Sequence, residues 1–276
     1  MSVSLDKLET EQRNIKSMDL DKMTPFQIAE LMNAQDKTIA DAVNLALNDI
    51  ALAIENAEKT LNNDGRIFYV GAGTSGRLGV LDASECPPTF GVDSDVFIGI
   101  IAGGDRAVRE AVEGAEDDEN RACSDLKAYS LNDKDMVIGL AASGRTPYVI
   151  GALKYARSLS YCTASIACVS NSVIGKYADV KIEVITGAEV VTGSTRLRAG
   201  TAQKMVLNMI STGAMVRVGN VYSNLMVNLV PNNEKLKARC VRIFMEATGL
   251  DENTAIRCIE DSNGNLKEAI QKSSKI

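Results

Sequence analysis

Two segments of this 276-residue sequence, one rich in glycine and one with Ser, Gly and Thr, are suited to hold an anion. The segment 71–76 reads GAGTSG and matches the pattern G-x-G-x-x-G, whose small residues let the backbone approach a phosphate at a helix start. The segment 141–147 reads AASGRTP, and it could offer the hydroxyls of Ser143 and Thr146 and the backbone around Gly144 to one phosphate. A tight strand–helix turn and simple helix caps are the alternative interpretations of the two segments.

Two glutamates are candidates for acid–base chemistry. Glu85 lies in DASECPP at 82–88, where the prolines are expected to end a helix, and Glu116 lies in the acidic run GAEDDE at 114–119. The sequence has no histidine, which excludes Ser-His and Cys-His nucleophilic systems and leaves proton transfer to Asp, Glu, Lys, Tyr or Cys. From spacing alone, both glutamates are ordinary exposed residues near helix ends.

Five short apolar runs predict the strands that would position these segments. Their apolarity is continuous rather than alternating, as expected for strands buried on both faces of a parallel sheet with helices on either side. The runs are Arg66–Val70, Val96–Ile101, Met136–Ala141, Ala164–Val169 and Val180–Ile185. In open α/β sheets, ligands lie beyond the carboxyl ends of the strands, so the segments 71–76 and 141–147 are expected to converge there on one phosphate.

Helices are predicted before and after these strands. The stretch from Thr24 to about Leu61 is helical in pattern, with Pro25 in its first turn. A long helix is predicted from Ser194 to about Val218, and three short helices from about Glu234 look like a separate small module.

Several ligand classes are disfavoured. A dinucleotide would need an acidic residue at the tip of the second strand, which instead ends in IIAGG at 100–104, and there is no Walker lysine. The net charge of −6 argues against nucleic acid as a ligand.

The sequence has no apolar run near the roughly 18 residues of a membrane span and no signal-peptide pattern, so we expect a cytoplasmic protein. The six cysteines, which lack CxxC spacing, are expected to be reduced thiols.

Motifs in eight segments carry a family resemblance. They are TEQRN at 10–14, GAGTSGRLG at 71–79, DASECPP at 82–88, IIAGG at 100–104, EGAED at 113–117, AASGRTPYV at 141–149, TGSTRLRAGTAQK at 192–204 and LNMISTG at 207–213. In this order, and over nearly the whole chain, they resemble the N-acetylmuramic acid 6-phosphate etherases.

The resemblance implies an α/β fold and an activity. The fold would be a SIS (sugar isomerase) domain, a flavodoxin-like parallel sheet of five strands flanked by helices at 1–233, followed by a helical UBA-like module at 234–276. The activity would be cleavage of the D-lactyl ether of N-acetylmuramic acid 6-phosphate to N-acetylglucosamine 6-phosphate and D-lactate in cell-wall recycling. The family implies a homodimer and no metal or other cofactor.

The resemblance also assigns residues. Glu85 falls on the proton-donor position of the family and Glu116 on its second catalytic carboxylate. The implied substrate-binding residues are Thr74, Ser75, Ser143, Gly144, Thr146, Ser194 and Thr195. We hypothesise that Glu116 removes the C2 proton of the ring-opened sugar and that Glu85 protonates the departing lactate, after which water adds at C3. This requires both glutamates to flank the C2–C3 bond of one bound sugar.

Other readings remain open at this point. Arg77, Arg145, Arg196 and Lys204 could neutralise the charges of the substrate or serve equally well in structural ion pairs. A second subunit could contribute to the site. A non-catalytic sugar-phosphate-binding regulator and a phosphosugar aldose–ketose isomerase are the alternative functions, and neither would release lactate.

Overall fold

A parallel sheet of five strands forms the centre of the fold. The computed structural model describes residues 8–229 and 234–273. The strands are β1 (Ile67–Gly71), β2 (Phe97–Ile101), β3 (Met136–Leu140), β4 (Cys162–Ala167) and β5 (Val180–Glu183). They are all parallel and lie in the order β2-β1-β3-β4-β5. This order is flavodoxin-like and confirms the predicted fold class, and every strand begins and ends within two residues of its predicted apolar run.

Helices surround this sheet and follow it. In the described residues they are α1 (Pro25–Asp36), α2 (Ile39–Asn44), α3 (Leu47–Asn62), α4 (Gly73–Phe90), α5 (Asp105–Arg109), α6 (Glu119–Ala128), α7 (Pro147–Ser158), α8 (Arg198–Arg217), α9 (Glu234–Thr248), α10 (Glu252–Asp261) and α11 (Leu266–Ser273). The helical stretch predicted up to Leu61 is thus three helices, the first of which starts with a capping box between Thr24 and Gln27. Within the described ranges, no helix has the length and apolarity that a bilayer crossing requires.

The two faces of the sheet are covered by different helices. On one face, α2, α3, α4 and α8 share a core with the sheet that includes Ile50, Tyr69 and Ile210. On the other face, α6 and α7 pack on the sheet around Phe68 and Leu153. Neighbouring residues of β1 therefore point to opposite cores, as the pleat of a strand requires. This burial on both sides explains the continuous apolarity of the strands.

The long helix α8 begins at Arg198, four residues after its predicted start. The buried carboxylate of Glu189 accepts hydrogen bonds of 2.9 Å from the backbone N–H groups of Arg198 and Ala199, which would otherwise lack partners at the helix start. Burial raises the pKa of this carboxyl group, while the two N–H groups oppose that change. Residues 192–197 consequently form a loop rather than a first helical turn.

The C-terminal helices α9, α10 and α11 share a separate hydrophobic core, in agreement with the predicted helical module. This core also contains Val227 and Leu229, which follow a short hairpin of β6 (Val221–Tyr222) and β7 (Leu225–Met226). Residues 230–233 lie outside the described residues, and the domain boundary predicted after residue 233 falls at their end. That boundary stays a prediction.

Candidate active site

A cavity of about 420 Å³ lies at the carboxyl ends of β1 and β3. Five segments that are distant in sequence contribute to its wall. The lining residues are Leu8, Glu11, Ala72, Gly73, Thr74, Ser75, Glu116, Asp117, Ala142, Ser143, Arg145, Thr146, Pro147 and Thr195. The structure therefore brings together most of the residues singled out in the sequence: Thr74, Ser75, Glu116, Ser143, Thr146 and Thr195.

The turn between β1 and α4 supplies Thr74 and Ser75. Gly76 lets the start of α4 lie close to the end of β2, because a Cβ atom at this position would lie 2.6 Å from Cγ1 of Ile101. Ser75 is buried in the first turn of α4, where its hydroxyl donates a hydrogen bond of 2.8 Å to Oε1 of Gln203 on α8. Because this proton is used within the protein, Ser75 offers oxygen lone pairs to a ligand and is suited to accept from a sugar O–H or N–H group.

The loop between β3 and α7 supplies Ser143 and Thr146. Thr146 occupies the cap position of α7, but its side chain makes no capping hydrogen bond. The hydroxyl groups of both residues make no hydrogen bond to the described part of the chain, so they are available to an anion at the start of α7. The simple helix-cap interpretation therefore does not hold for Thr146.

Gly144 shapes this loop and does not present a donor to the cavity. Its N–H group donates to the carbonyl oxygen of Ala141 at 2.9 Å, and its own carbonyl oxygen accepts from the N–H group of Ile174 at 3.0 Å. The φ angle of Gly144 is +68°, and a Cβ atom there would lie 2.7 Å from Cβ of Ser172. In this structure the Gly144 amide is used within the turn, and a contact of Gly144 with the substrate stays a prediction.

The loop that precedes α8 brings Thr195 to the cavity. Its backbone is held by hydrogen bonds from the N–H of Ser194 to Val191 O and from the N–H of Thr195 to Gly193 O. Ser194 is half-buried beside Thr195 but does not line the cavity.

Glu116 enters the cavity wall from a 3-10 turn at Ala115–Asp117, which follows Gly114 in the left-handed conformation with φ +72°. The side chain is exposed and makes no hydrogen bond or ion pair to the described residues. It also borders a smaller cavity of about 170 Å³ that extends towards Arg77. A carboxylate without an internal partner is free to remove a proton from a bound ligand.

Glu85 does not lie at this cavity. It is exposed on α4, twelve residues beyond Gly73, which corresponds to about 18 Å along a helix. The expectation that both glutamates flank one sugar is therefore not met within a single chain. The prolines after Glu85 also do not end the helix: they lie in its last turns, and α4 ends at Phe90 with Gly91 at φ +65°.

The N-terminal segment contributes wall residues that sequence reasoning missed. Leu8 and Glu11 line the cavity, and the carboxylate of Glu9 accepts hydrogen bonds from the backbone and hydroxyl of Ser170, which ties the segment to the loop after β4. The only signal in the sequence was the motif at 10–14, to which no role was given. A segment remote in sequence can be assigned to a pocket only after the chain has folded.

The four basic residues that were candidates for neutralising the substrate differ in their contacts. The guanidinium group of Arg77 donates to the carbonyl oxygens of Val108 and Glu110, and Lys204 donates to Asn208. Arg196 is exposed and does not line the cavity. Arg145 alone of these four lines it, and Nε of its guanidinium group is buried without a hydrogen-bond partner in the described residues.

A polar group lies deeper in the interface between α4 and α8. Oδ1 of Asp82 accepts a hydrogen bond from the hydroxyl of Ser211 at 3.3 Å, and the carboxyl group is buried beside the hydroxyl of Tyr69. Burial raises the pKa of Asp82, and the Ser211 hydrogen bond opposes that change. The interface behind Ser75 thus holds a carboxyl group at an energetic cost.

The cysteines and the other potential metal ligands are dispersed in the described residues. There, no three His, Cys, Asp or Glu side chains lie close enough to hold a metal ion. The six cysteines carry free thiols. Burial raises the pKa of Cys86 to about 12 and that of Cys162 to about 11, so both thiols stay protonated near neutral pH and are poor nucleophiles.

Comparison with protein families and curated proteins gives consistent results. The family model of the glucokinase regulatory protein N-terminal SIS domain matches residues 49–157, that of the SIS domain matches 118–212, and that of a UBA-like domain matches 241–272. The chain is 55% identical to an N-acetylmuramic acid 6-phosphate etherase of Bacillus mycoides over 266 residues, which cover 96% of this chain and 90% of that protein. It is also 55% identical to one of Lactobacillus johnsonii over 268 residues, covering 97% and 90%.

Solved structures share the fold at low sequence identity. A protein from Escherichia coli matches with a TM-score of 0.53 and 14% identity, over 73% of this chain and 97% of that one. A phosphoheptose isomerase from Francisella tularensis matches with a TM-score of 0.52 and 16% identity, over 70% and 98%. These likenesses support the SIS fold and no more.

Proposed function

The chain belongs to the N-acetylmuramic acid 6-phosphate etherases, and from this membership we propose that it converts N-acetylmuramic acid 6-phosphate and water to N-acetylglucosamine 6-phosphate and D-lactate. The observation that carries the proposal is a single cavity in which the unpartnered carboxylate of Glu116 accompanies the free hydroxyls of Ser143 and Thr146. The substrate would be met in the cytoplasm, because a sugar phosphate does not cross a bilayer unaided.

The phosphate binds at the start of α7. The hydroxyls of Ser143 and Thr146 donate to it, and the twelve-residue helix that begins at Pro147 directs its positive end towards it. The sugar then extends towards Thr74, Ser75 and Thr195 on the other walls of the cavity. This orientation uses lone pairs of Ser75 for a sugar N–H or O–H group.

Glu116 acts as the base in the first step. The open-chain sugar carries a hydrogen at C2, next to the C1 aldehyde, and Glu116 removes it to leave an enolate. Lactate leaves C3 as its ether oxygen takes a proton from a carboxylic acid, which gives an α,β-unsaturated aldehyde. Water adds at C3 and C2 regains a proton, so the net reaction is a hydrolysis. A positioned acid or base contributes about 10²–10⁴-fold to such a step.

We assign the acid to Glu85 of a second subunit. Within one chain this residue lies about 18 Å along α4 from the cavity edge at Gly73, too far to protonate a ligand held there. A symmetric dimer would give each cavity the Glu85 of its partner, as isologous contacts are reciprocal. Each subunit would then supply Glu116 to its own site and Glu85 to the other.

Exposed apolar side chains on the helices of this face of the sheet support the dimer. Leu81 is exposed one helical turn before Glu85, on the same side of α4. On the same face of the sheet, Leu45 and Leu47 are exposed near a groove between α3 and α8, whose walls include Ile54 and Met209 and whose volume is about 550 Å³. A second copy packed on this surface would cover these side chains.

The experiment that tests the function is an assay of lactate release. Purified protein mixed with N-acetylmuramic acid 6-phosphate in heavy-oxygen water should release D-lactate and place the label at C3 of the sugar. Label in the lactate instead would show attack on the lactyl carbon and would overturn the mechanism.

The match to a regulatory-protein model at 49–157 favours, as a second candidate, a regulator that binds sugar phosphates without turnover. Sugar-phosphate binding without lactate release would select it.

A further inference from the structure

Arg145 is a cation in the cavity wall that has no ion-pair partner among the described residues. It lies between Gly144 and Thr146 in the β3–α7 loop, and it is the one Arg or Lys among the described residues that line the cavity. Its Nε is buried without a hydrogen-bond partner, and its guanidinium group forms no ion pair with any described residue. A buried cationic N–H group is costly without an acceptor, so a bound anion would complete this part of the site.

The other buried or half-buried arginines near the cavity are used differently. Arg77 donates to two backbone carbonyl oxygens, and Arg198 donates to Ala188 O and to the hydroxyl of Thr38. By contrast, Arg145 shares a cavity with three carboxylates, those of Glu11, Glu116 and Asp117, and pairs with none of them. A purely structural arginine would be expected to use such an available carboxylate.

The substrate of the proposed function carries two anions, and the site contains two different sets of donors. The phosphate is accommodated by neutral groups, namely the hydroxyls of Ser143 and Thr146 at the start of α7. The lactyl group adds a planar carboxylate, whose two oxygens match the fork of a guanidinium group. We propose that Arg145 binds the lactyl carboxylate of the substrate and is a specificity-determining residue. The inference rests on the proposed etherase function.

This contact would distinguish the substrate from the product. N-acetylglucosamine 6-phosphate retains the phosphate and the sugar but has lost the lactyl group, so it leaves Arg145 without an anion. The same holds for aldose and ketose phosphates, the substrates of the alternative isomerase function, because they carry a phosphate but no carboxylate. Binding energy from Arg145 is therefore available to the lactyl ether but not to N-acetylglucosamine 6-phosphate, so its loss after cleavage favours release of this sugar phosphate.

The test compares the two ligands by calorimetric titration in the full-length protein. Titrations are made in the Glu116→Gln background, so that substrate is not consumed, with and without Arg145→Met. The dissociation constant of N-acetylmuramic acid 6-phosphate should rise about 10- to 100-fold, and that of N-acetylglucosamine 6-phosphate should change less than about 2-fold. Arg196→Met, which removes an exposed charge of the neighbouring loop, should leave both constants unchanged.

Equal weakening of both ligands would overturn the proposal, because Arg145 would then bind the phosphate or hold the loop. Unchanged binding of both would overturn it as well. If Arg145→Met does not fold, Arg145→Lys replaces it; a lysine keeps the charge without the fork, so only the affinity for the lactyl ether should fall, by about 3- to 10-fold. Failure of the etherase function itself shows separately, as absence of lactate from the unmodified protein.

Discussion

The hydroxyl of Ser75 donates a 2.8 Å hydrogen bond to Oε1 of Gln203, which joins the first turn of α4 to α8 across 128 positions of sequence. Both residues are buried, and Ser75 forms part of the cavity wall. The bond fixes the direction of the serine hydroxyl, so the binding surface depends on a residue of another helix. Nε2 of Gln203 is itself buried without a partner among the described residues.

Replacing Gln203 should separate binding from stability. In Gln203→Met, the free energy of unfolding should change by less than about 1 kcal/mol, because the unpartnered Nε2 is removed together with the lost hydrogen bond. KM should rise several-fold, since the Ser75 hydroxyl is no longer oriented. Steady-state kinetics and denaturant unfolding measure the two quantities. Ser75→Ala and the double variant complete a cycle, in which fully additive effects on KM would show that the two residues do not act together.

Glu116→Gln should abolish proton removal while leaving the cavity intact. We expect lactate release to fall by about 100-fold or more, with little change in the affinity for N-acetylglucosamine 6-phosphate. Glu113→Gln, which alters an exposed carboxylate of the same segment outside the main cavity, should stay near wild type. In deuterated water, Glu85→Gln should still exchange the C2 hydrogen of the substrate and Glu116→Gln should not. The reverse pattern would exchange the two assigned roles.

Mixed dimers test whether two subunits share each site. Glu85→Gln and Glu116→Gln chains are each expected to be nearly inactive alone. After random mixing of equal amounts, half of the dimers contain both chains, and one of the two sites in such a dimer has both carboxylates. Activity should therefore recover to about a quarter of the wild-type value, as measured by lactate release. No recovery, although exchange of subunits is verified by tagged chains, would place both glutamates in the same subunit.

Asp82→Asn should stabilise the protein in a pH-dependent way. Burial raises the pKa of Asp82 in the folded state above its ordinary value of 3.8, so the folded protein binds the proton more tightly than the unfolded chain. Stability is consequently lost as pH rises from 3.8 through the raised pKa, and it stays reduced at higher pH. Asparagine is uncharged and keeps an acceptor for Ser211. The variant should unfold at higher denaturant concentration at about pH 8, and this advantage should shrink as pH falls towards about 4. An advantage that grows at acidic pH would contradict this account.

Gly144→Ala should be more harmful than an alanine at an open left-handed position. Gly249 has a similar φ of +74° but has no atom within 4 Å of an added Cβ, so Gly249→Ala should cost about 1–2 kcal/mol of stability. In Gly144→Ala the added carbon also meets Ser172 at 2.7 Å, and we expect at least about 1 kcal/mol more together with weaker phosphosugar binding. Thermal unfolding and a phosphosugar titration measure both effects. An equal loss of stability in the two variants would show that the β3–α7 loop accommodates the added carbon without strain.

The strands were predictable because their signal is local. Runs such as Met136–Ala141 are apolar throughout, and the structure buries them on both faces between helices. The start of α8 was predicted four residues too early because it depends on Glu189, whose capping carboxylate comes from outside the helix. The helix with Glu85 continues past its prolines, since these lie in its last turns and the chain turns only at Gly91. Local patterns therefore predict elements better than their ends.

The family, the five strands and the candidate residue types could be predicted from the sequence, because motifs and apolar runs are properties of short segments. The strand order was implied by the family resemblance alone, and the tertiary structure fixes it. Which side chains meet is a property of the folded chain. Only the tertiary structure puts Leu8, Glu11 and Arg145 into one wall with Glu116, uses the amide of Gly144 inside a turn, and carries Glu85 away from the cavity. These outcomes depend on distances between segments that lie far apart in the sequence, which spacing along the chain does not encode.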